Sequence, residues 1–578
     1  MEGALNTADQ AIIAGFFLVM LGIGFFFSSR MKTLQDYFTG SRSIPWWLSG
    51  ASLYMSTFSA FTFVAYSEIA FKYGFVAVTI WWIVAVCVAV SAWLFASRWR
   101  RAVATSPLEF IEVRYNTAMR QGLAFLGIPL IVIDDGLKLY AIGNLLSLYL
   151  GYDLRQAIIF SGSIMLAYTF LGGLWAVLIT DFVQFAVLLA AVLVLVPFSF
   201  QRVGGMSEFF EGMPPGFMEP IAGETYKPWF LISFSIVMFL SYSTRWSLVQ
   251  RYYSVRTDKE ARKVGYFVAI ITLIATPILF FPAMAARVYD LPVQDTKNVY
   301  GLICRSLLPI GMLGMMIAAM FSATMSMLSS DYNATAAVIT NDVYKRLWGK
   351  NSSDRTLVWV GRLSTLVIGL IALGIGLLVE HWAGDDDLFK VMADLASILI
   401  PPIGIPMLVG LISRKVSPKG ALVGFTLGVL SGIAGFYLSS LPGSFTLPWG
   451  REVFFSQLNG VAWMTWITSV PTLVGMYAAS FLLKSNPEEE KRIDEFISHV
   501  EAYGKPEALT GGESPIDFTP LSLVGYAIGI LGAIALTATW VSVGWGLGWV
   551  TMVVGGIMVL VGLASVLLQR RNTQAEEL

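Results

Sequence analysis

Charge is what this sequence has least of. Only 13% of its 578 residues are Asp, Glu, Lys or Arg, about half of the roughly 25% usual in soluble domains. So little polar surface cannot cover a chain of this length in water, which excludes an ordinary soluble fold. Formal net charge is zero and the pI is near 6.8, so the basic footprint of a nucleic-acid binder is missing. Cysteine is limited to Cys87 and Cys304, both beside apolar runs, which reads as two buried thiols rather than a disulfide framework. Histidine is limited to His381 and His499, and no His/Cys group has metal-ligand spacing. Basic residues are missing before the first apolar run, which argues against a cleaved leader. No nucleophile–base pair or Gly-rich phosphate loop is found, so neither an enzyme nor an organic cofactor is expected.

Apolar residues are what the chain has in excess: 56% of the total, with a mean hydropathy of +0.69. A membrane span needs roughly 20 apolar residues. Candidates fall at 8–28, 45–71, 75–97, 121–150, 155–171, 174–200, 229–249, 265–287, 309–342, 358–380, 390–412, 419–440, 462–483, 520–541 and 544–569. Open sheet edges do not survive in hydrocarbon, so the expectation is an all-α polytopic membrane protein with about 15 transmembrane helices in a cell membrane. Loop charge sets the orientation. Arg30, Lys32 and Arg42, then Arg98, Arg100, Arg101, Arg114 and Arg120, mark one side. Arg251, Arg256, Lys259, Arg262, Lys263, Lys345, Arg346, Lys350, Arg355, Arg414, Lys415, Lys419, Arg570 and Arg571 continue it. The other side holds Glu208, Glu211, Glu219, Glu224 and the run Asp385–Asp386–Asp387. This predicts N-out, C-in, with 484–519 as a solvated cytoplasmic linker containing a short helix.

Ionisable side chains at membrane depth are costly, so each is a functional candidate. They are Glu68, Asp134, Asp135, Lys138, Asp181, Arg245, Asp331 and Asp394. Asp134 and Lys138 are four apart and share a helical face, as a structural pair or as substrate ligands. Arg245 can snorkel toward the inner surface with Arg251, and Glu68 can face outer water with Lys72. The second segment is dense in small and hydroxylated residues (Ser52, Ser56, Thr57, Ser59, Thr62) and should be a weak helix near mid-membrane. The ninth repeats the theme, with Ser326, Ser329 and Ser330 on one face. Small residues also serve plain helix packing. Neutral hydroxyls, a carboxylate and carbonyls freed by a helix break together suit a hard monovalent cation such as sodium.

Several stretches resemble the sodium/solute symporter family, the sodium-coupled carriers of sugars, proline, pantothenate, iodide and sialic acid. Residues 36–42 (Asp-Tyr-Phe-Thr-Gly-Ser-Arg), Pro45-Trp46-Trp47 and Gly50-Ala51-Ser52-Leu53 are similar to its opening signature. Residues 169–184 resemble its Gly-Gly…Thr-Asp…Gln stretch, and Gln250-Arg251 with Ala261-Arg262 its cytoplasmic Gln-Arg motif. Residues 329–344 resemble its eighth core helix, and Ser417-Pro418-Lys419-Gly420-Ala421 also fits. The matches run from about 36 to 422.

The resemblance implies a leucine-transporter-like fold of two inverted five-helix repeats with a site at the midplane. The division it implies is a leading helix and loop (1–43), a first repeat (44–200), a second repeat (226–412) and additional C-terminal helices (413–578). It implies a first sodium site from the carbonyls of Met55, Phe58 and Ala323 and the hydroxyl of Ser326. The second serine usual in the family is Met327 here, and a thioether is a poor sodium ligand. A second site would use Asp181, Ser326, Ser329 and Ser330, so one or two sodium ions are co-transported. Substrate candidates are Thr57, Ser59, Thr62, Asp134, Asp135, Lys138, Arg245 and Asp394. The basic grip of the sialic acid carriers is replaced near Asp134 or Asp135, and Thr62 stands where sugar carriers have glutamine. A sugar or polyol is the first reading of the solute, with an organic anion (sialic acid-like or another carboxylate) or an amino acid as the alternative. The expected partners are that small solute and the lipid bilayer, with no nucleic acid and the oligomeric state unspecified. A membrane sensor would need a signalling domain, for which 484–519 is too small, and a channel would need polar residues at every depth.

Overall fold

The computed structural model describes residues 5–28, 34–102, 106–221, 226–383, 388–446, 452–454, 458, 460–502 and 520–577. Arg30, Lys32, Glu224, the run Asp385–Asp387 and the linker stretch 503–519 lie outside them. The first half contains α1 (Thr7–Ser28), α2 (Trp46–Met55), a π-helical turn (Thr62–Tyr66) leading into α3 (Ser67–Tyr73), α4 (Val76–Ser91), α5 (Glu109–Arg114), α6 (Thr117–Leu150) and α7 (Leu154–Val203). The second half contains α8 (Pro228–Thr244), α9 (Trp246–Tyr253), α10 (Asp258–Val288), α11 (Met312–Val338), α12 (Asp354–Ala383) and α13 (Leu388–Ile412). It ends with α14 (Pro418–Ser439), α15 (Val461–Leu482), α16 (Pro487–Glu501) and α17 (Pro520–Glu577). Among the described residues the only sheet is a hairpin of Ser444–Thr446 and Glu452–Phe454, a small exception to an otherwise helical chain.

Ten helices among the described residues are long and apolar enough to cross a membrane. Their outer faces expose large apolar side chains, Phe25, Trp93, Phe436 and Val541 among them. Continuous exposure of that kind is tolerated against lipid, not water, and the chain is a multi-pass membrane protein. The helix α11 is the most enclosed. Its most apolar stretch is 89% buried, against 28% for α14, so α11 is the central post and α14 a peripheral one. Around α11 pack α1, α6, α7 and α12. Its N-terminus is capped from α1: Asp9 Oδ1 accepts the N–H groups of Gly311 (2.9 Å) and Gly314 (2.7 Å), a carboxylate on the positive end of a helix. A Cβ on Gly314 would lie 2.5 Å from Asp9 Cα, so only glycine permits this approach. At the periphery, Gly420, Gly424 and Gly428 of α14 meet Ser480, Met476 and Thr472 of α15 directly, the small-residue contact that lets membrane helices touch.

Three helix interruptions stand out, and the first two reach the site. The first separates α2 from the helix that resumes at Ala60. Here Thr57 Oγ1 donates to the Tyr54 carbonyl at 2.6 Å, a side-chain bond that competes with the helical ladder. The freed Ala60 N–H donates to Thr324 Oγ1 of α11 at 2.8 Å. The second break is at Arg245, in extended backbone (φ −60°, ψ 124°), between α8 and α9. The segment 229–249, expected as one span, is therefore two helices. The third is Gly173 inside α7, with φ +70°, a conformation that glycine adopts without strain.

Two expectations change. Gln250 and Arg251 were assigned to a cytoplasmic loop, but both are fully buried. Arg100 and Arg114 are buried as well, donating to the carbonyls of Val255 and Val416. A guanidinium with five donors can terminate helix ends inside the protein, so base count alone overstated the solvated loops. The linker helix also exceeds a solvated segment. The α16 helix carries a capping box at Asn486 and Glu489, buries Ile493, Phe496, Ile497 and Val500, and stacks Phe496 on Phe110 at 5.9 Å.

Candidate binding site

The two helix breaks meet one internal cavity of about 130 Å3. The first break supplies Ser56, Thr57, Ser59 and Thr62, and the second supplies Ser241, Thr244 and Arg245. Asp134 and Lys138 enter from α6, Met327 from α11, and Leu395 and Ala396 from α13. Tyr66, Trp81, Tyr242 and Trp246 give it aromatic walls. Trp81 stacks on Phe58 at 4.8 Å, and its indole N–H has no hydrogen-bond partner. An apolar cavity of roughly 150 Å3 holds benzene, so this space suits one six-membered ring with polar edges.

Behind the cavity lies a buried network of five charges. Lys138 Nζ bridges Asp134 (3.0 Å), Asp135 (2.8 Å) and Asp331 (3.0 Å). Those three carboxylates could together ligate a metal ion, but the ammonium already takes the central place. Arg245 Nη2 donates to Asp134 Oδ2 (2.6 Å) and to Asp331 Oδ2 (2.5 Å), and its Nε donates to Asp331 Oδ1 (3.1 Å). Ser247 Oγ completes Asp331 at 2.6 Å. The predicted Asp134–Lys138 pair is thus present within a larger cluster. Arg245 does not snorkel away; it closes the network from the second break. Asp331, noted only as a membrane-depth acid, is the hub of the cluster.

A second polar centre joins α2, α7, α9 and α11. Asp181 Oδ2 accepts from Ser52 Oγ and lies 3.4 Å from Arg251 Nη2. The same Nη2 donates to Ser330 Oγ at 2.5 Å, and Ser330 Oγ lies 2.9 Å from Ser56 Oγ. Of the residues expected for a second sodium, Asp181 and Ser330 are therefore linked by a guanidinium. Ser329 Oγ donates back to the Ser326 carbonyl at 3.1 Å. Asp181 Oδ1 and Ser326 Oγ are buried beside each other, and neither makes a well-formed hydrogen bond. Met55 ends α2, Phe58 sits in the break, and Ala323 and Ser326 lie on the facing stretch of α11. The contacts Ser56–Ser330 and Ala60–Thr324 hold these two stretches together.

Two predicted substrate residues are elsewhere. Asp394 Oδ1 accepts the N–H of Val461 at 3.1 Å and caps α15; its helix gives the cavity Leu395 and Ala396 instead. Asp135 is fully buried and stands behind Lys138, outside the cavity lining. Sequence reasoning missed Ser247 and the inward role of Arg251. The available signal was their spacing: Ser247 and Arg251 are four apart, on one face of a short helix.

The comparisons agree with one another. The profile of the sodium:solute symporter family matches residues 37–428. The mouse sodium/glucose cotransporter 1 is 26% identical over 480 residues, covering 75% of this chain and 72% of the relative. The Vibrio parahaemolyticus sodium/glucose cotransporter is 26% identical over 465 residues, covering 74% and 85%. The mouse sodium/myo-inositol cotransporter 2 is 24% identical over 566 residues, covering 90% and 83%. In three dimensions the chain matches a Na+-coupled sialic acid symporter solved in a substrate-bound, outward-open state. The TM-score is 0.72 at 21% identity, covering 82% of this chain and 98% of that one, which makes the fold common to both.

Proposed function

The chain belongs to the sodium:solute symporter family, and from that premise we propose that it imports a small polar organic solute, a sugar or polyol, together with sodium by alternating access. The observation that carries this is the cavity onto which two helix breaks open, each contributing hydroxyls. Broken helices at a midplane site are how secondary transporters bind solute and ion. Thr57, Ser59 and Thr62 offer hydroxyls to the solute, the aromatic walls suit the apolar faces of a sugar ring, and Asp134 and Arg245 pair with its hydroxyl edges. That relatives are named as glucose and myo-inositol cotransporters favours the same class.

Sodium is assigned to the carbonyls of Met55, Phe58 and Ala323 and to Ser326 Oγ, a buried hydroxyl beside the Asp181 carboxylate that forms no well-aligned hydrogen bond with it. The alternative set of Asp181, Ser326, Ser329 and Ser330 already contains the Arg251 guanidinium, so a second sodium there would have to displace it. In this reading the chain has the repeats 44–200 and 226–412, N-out, C-in orientation and 15 spans; the solute closes the outer gate, and rocking of a helical bundle opens the inside. Sodium favours the outward-open state only through its higher affinity for it. The test is uptake into proteoliposomes against a panel of sugars, polyols, acids and amino acids, with and without an inward sodium gradient. Gradient-driven uptake of a sugar or polyol is expected. If a sodium gradient drives none of the panel, and titration shows no sodium-linked binding, the proposal fails.

A further inference from the structure

We infer that the site takes a solute with no net negative charge and couples it to a single sodium ion, and that Asp134 sets this selectivity. The inference rests on the carrier reading above and deepens it. Three carboxylates (Asp134, Asp135, Asp331) face two cations (Lys138, Arg245), so the buried cluster holds one uncompensated negative charge at its formal charges. The neighbouring Asp181–Arg251 pair adds none. Uncompensated charge in a buried site is costly. One sodium on the Met55–Phe58 and Ala323–Ser326 stretches brings the charge of the buried site as a whole to zero, and a neutral solute leaves that balance intact. A monoanionic solute would require a second cation, at a place where Arg251 already bridges Asp181 and Ser330.

The geometry names the residue that meets the solute. Both cations reach Asp134 through Oδ2, Arg245 at 2.6 Å and Lys138 at 3.0 Å. That leaves Oδ1 as the acceptor on the cavity wall that Asp134 lines. A carboxylate on the solute about 6 Å from the excess charge would be disfavoured by roughly a hundredfold at an effective dielectric of about 20. A hydroxyl donor instead gains a charge-assisted hydrogen bond.

The experiment uses the full-length protein in proteoliposomes. Sodium-driven uptake is compared across neutral sugars and polyols, zwitterionic amino acids, and size-matched uronates and hydroxy acids, and the sodium-to-solute ratio is measured for the best solute. The expected result is a best solute without net negative charge, a preference over its carboxylate counterpart of tenfold or more, and one sodium per solute. A carboxylate as the best solute, or two sodium ions per neutral solute, overturns the inference while leaving sodium coupling intact. No sodium-driven uptake of any member overturns the carrier reading and this inference with it. Asp134→Asn should weaken binding of the neutral solute roughly ten- to a hundredfold, the range of one charge-assisted hydrogen bond, and narrow the gap to the carboxylate. Asp134→Glu, which keeps the charge, should preserve the preference. If Asp134→Asn discriminates as the wild type does, Asp134 is not the determinant.

Discussion

Replacing Lys138 by Met tests the buried network directly. Its ammonium is within 3.0 Å of three carboxylates at once, and the side chain is 2% exposed. Removing it leaves Arg245 as the only cation of the cluster for Asp134, Asp135 and Asp331, so the net charge there goes from one negative unit to two. Breaking a buried pair costs roughly 3–5 kcal/mol. With about 2–4 °C of melting temperature per kcal/mol in domains of 150–250 residues, and less in a longer chain, a drop of roughly 5–15 °C follows. Thermal unfolding of the detergent-solubilised protein, followed by tryptophan fluorescence, reads it out. The double variant Lys138→Met/Asp135→Asn restores the original net charge, because Asp135 pairs with Lys138 at 2.8 Å and reaches Arg245 only at 3.9 Å. It should recover most of the loss, a coupling expected of residues in one network. A drop under about 2 °C for the single variant, or a double variant no better than the single, refutes the charge argument.

Met327→Ser places a hydroxyl where the cavity now has a thioether one residue from Ser326, and should lower the sodium concentration for half-maximal uptake several-fold; an unchanged value removes position 327 from the ion's surroundings. Asp181→Ala takes the carboxylate from the fully buried Arg251 and should destabilise the fold by roughly 3–5 kcal/mol at every sodium concentration, read as a lower melting temperature; a loss that sodium restores would make Asp181 an ion ligand instead. Gly424→Ala drives a Cβ to 2.5 Å from the Thr472 carbonyl and 2.2 Å from Met476 Cγ, and should destabilise by about 1–3 kcal/mol; wild-type melting would mean that α14 and α15 separate freely.

Much of the architecture could be read from the sequence because lipid permits so few solutions. Apolar runs of sufficient length had to be helices, and the hydroxyl-rich stretch 52–62 had to weaken one. The break at 56–59 and the packing of that stretch on α11 follow from those hydroxyls. The break at Arg245 did not announce itself, since Ser241, Thr244 and Arg245 look like an ordinary helix end facing an inner loop. Arg251 misled for the same reason. Loop-side base content averages over many residues, and a single arginine drawn inward by Asp181 and Ser330 is invisible to an average. Asp394 misled differently. A carboxylate at membrane depth is a sound candidate, but the N-terminus of α15 also needs an acceptor, and Asp394 serves that need.

The polar ties between α2 and α11 limit what sodium has to do. Ser56–Ser330 lies at the start of the break and Ala60–Thr324 just after it, so the protein's own side chains tie both ends of the break to α11. The carbonyls assigned to the ion flank the first tie: Met55 stands just before Ser56 and Phe58 between Ser56 and Ala60. Turning a conformational equilibrium from 1:99 to 99:1 takes about 5.5 kcal/mol of differential binding. One charge crossing a potential of 100 mV contributes about 2.3 kcal/mol. That potential acts on the inward step, so favouring the outward-open state falls to the ion's contacts alone, the scale of roughly two to four charge-assisted hydrogen bonds. In the proposed site, the Met55 and Phe58 carbonyls at the break and the Ala323 carbonyl and Ser326 hydroxyl on α11 would supply those contacts, which is why the proposal needs one sodium and can leave the Asp181 centre a structural role.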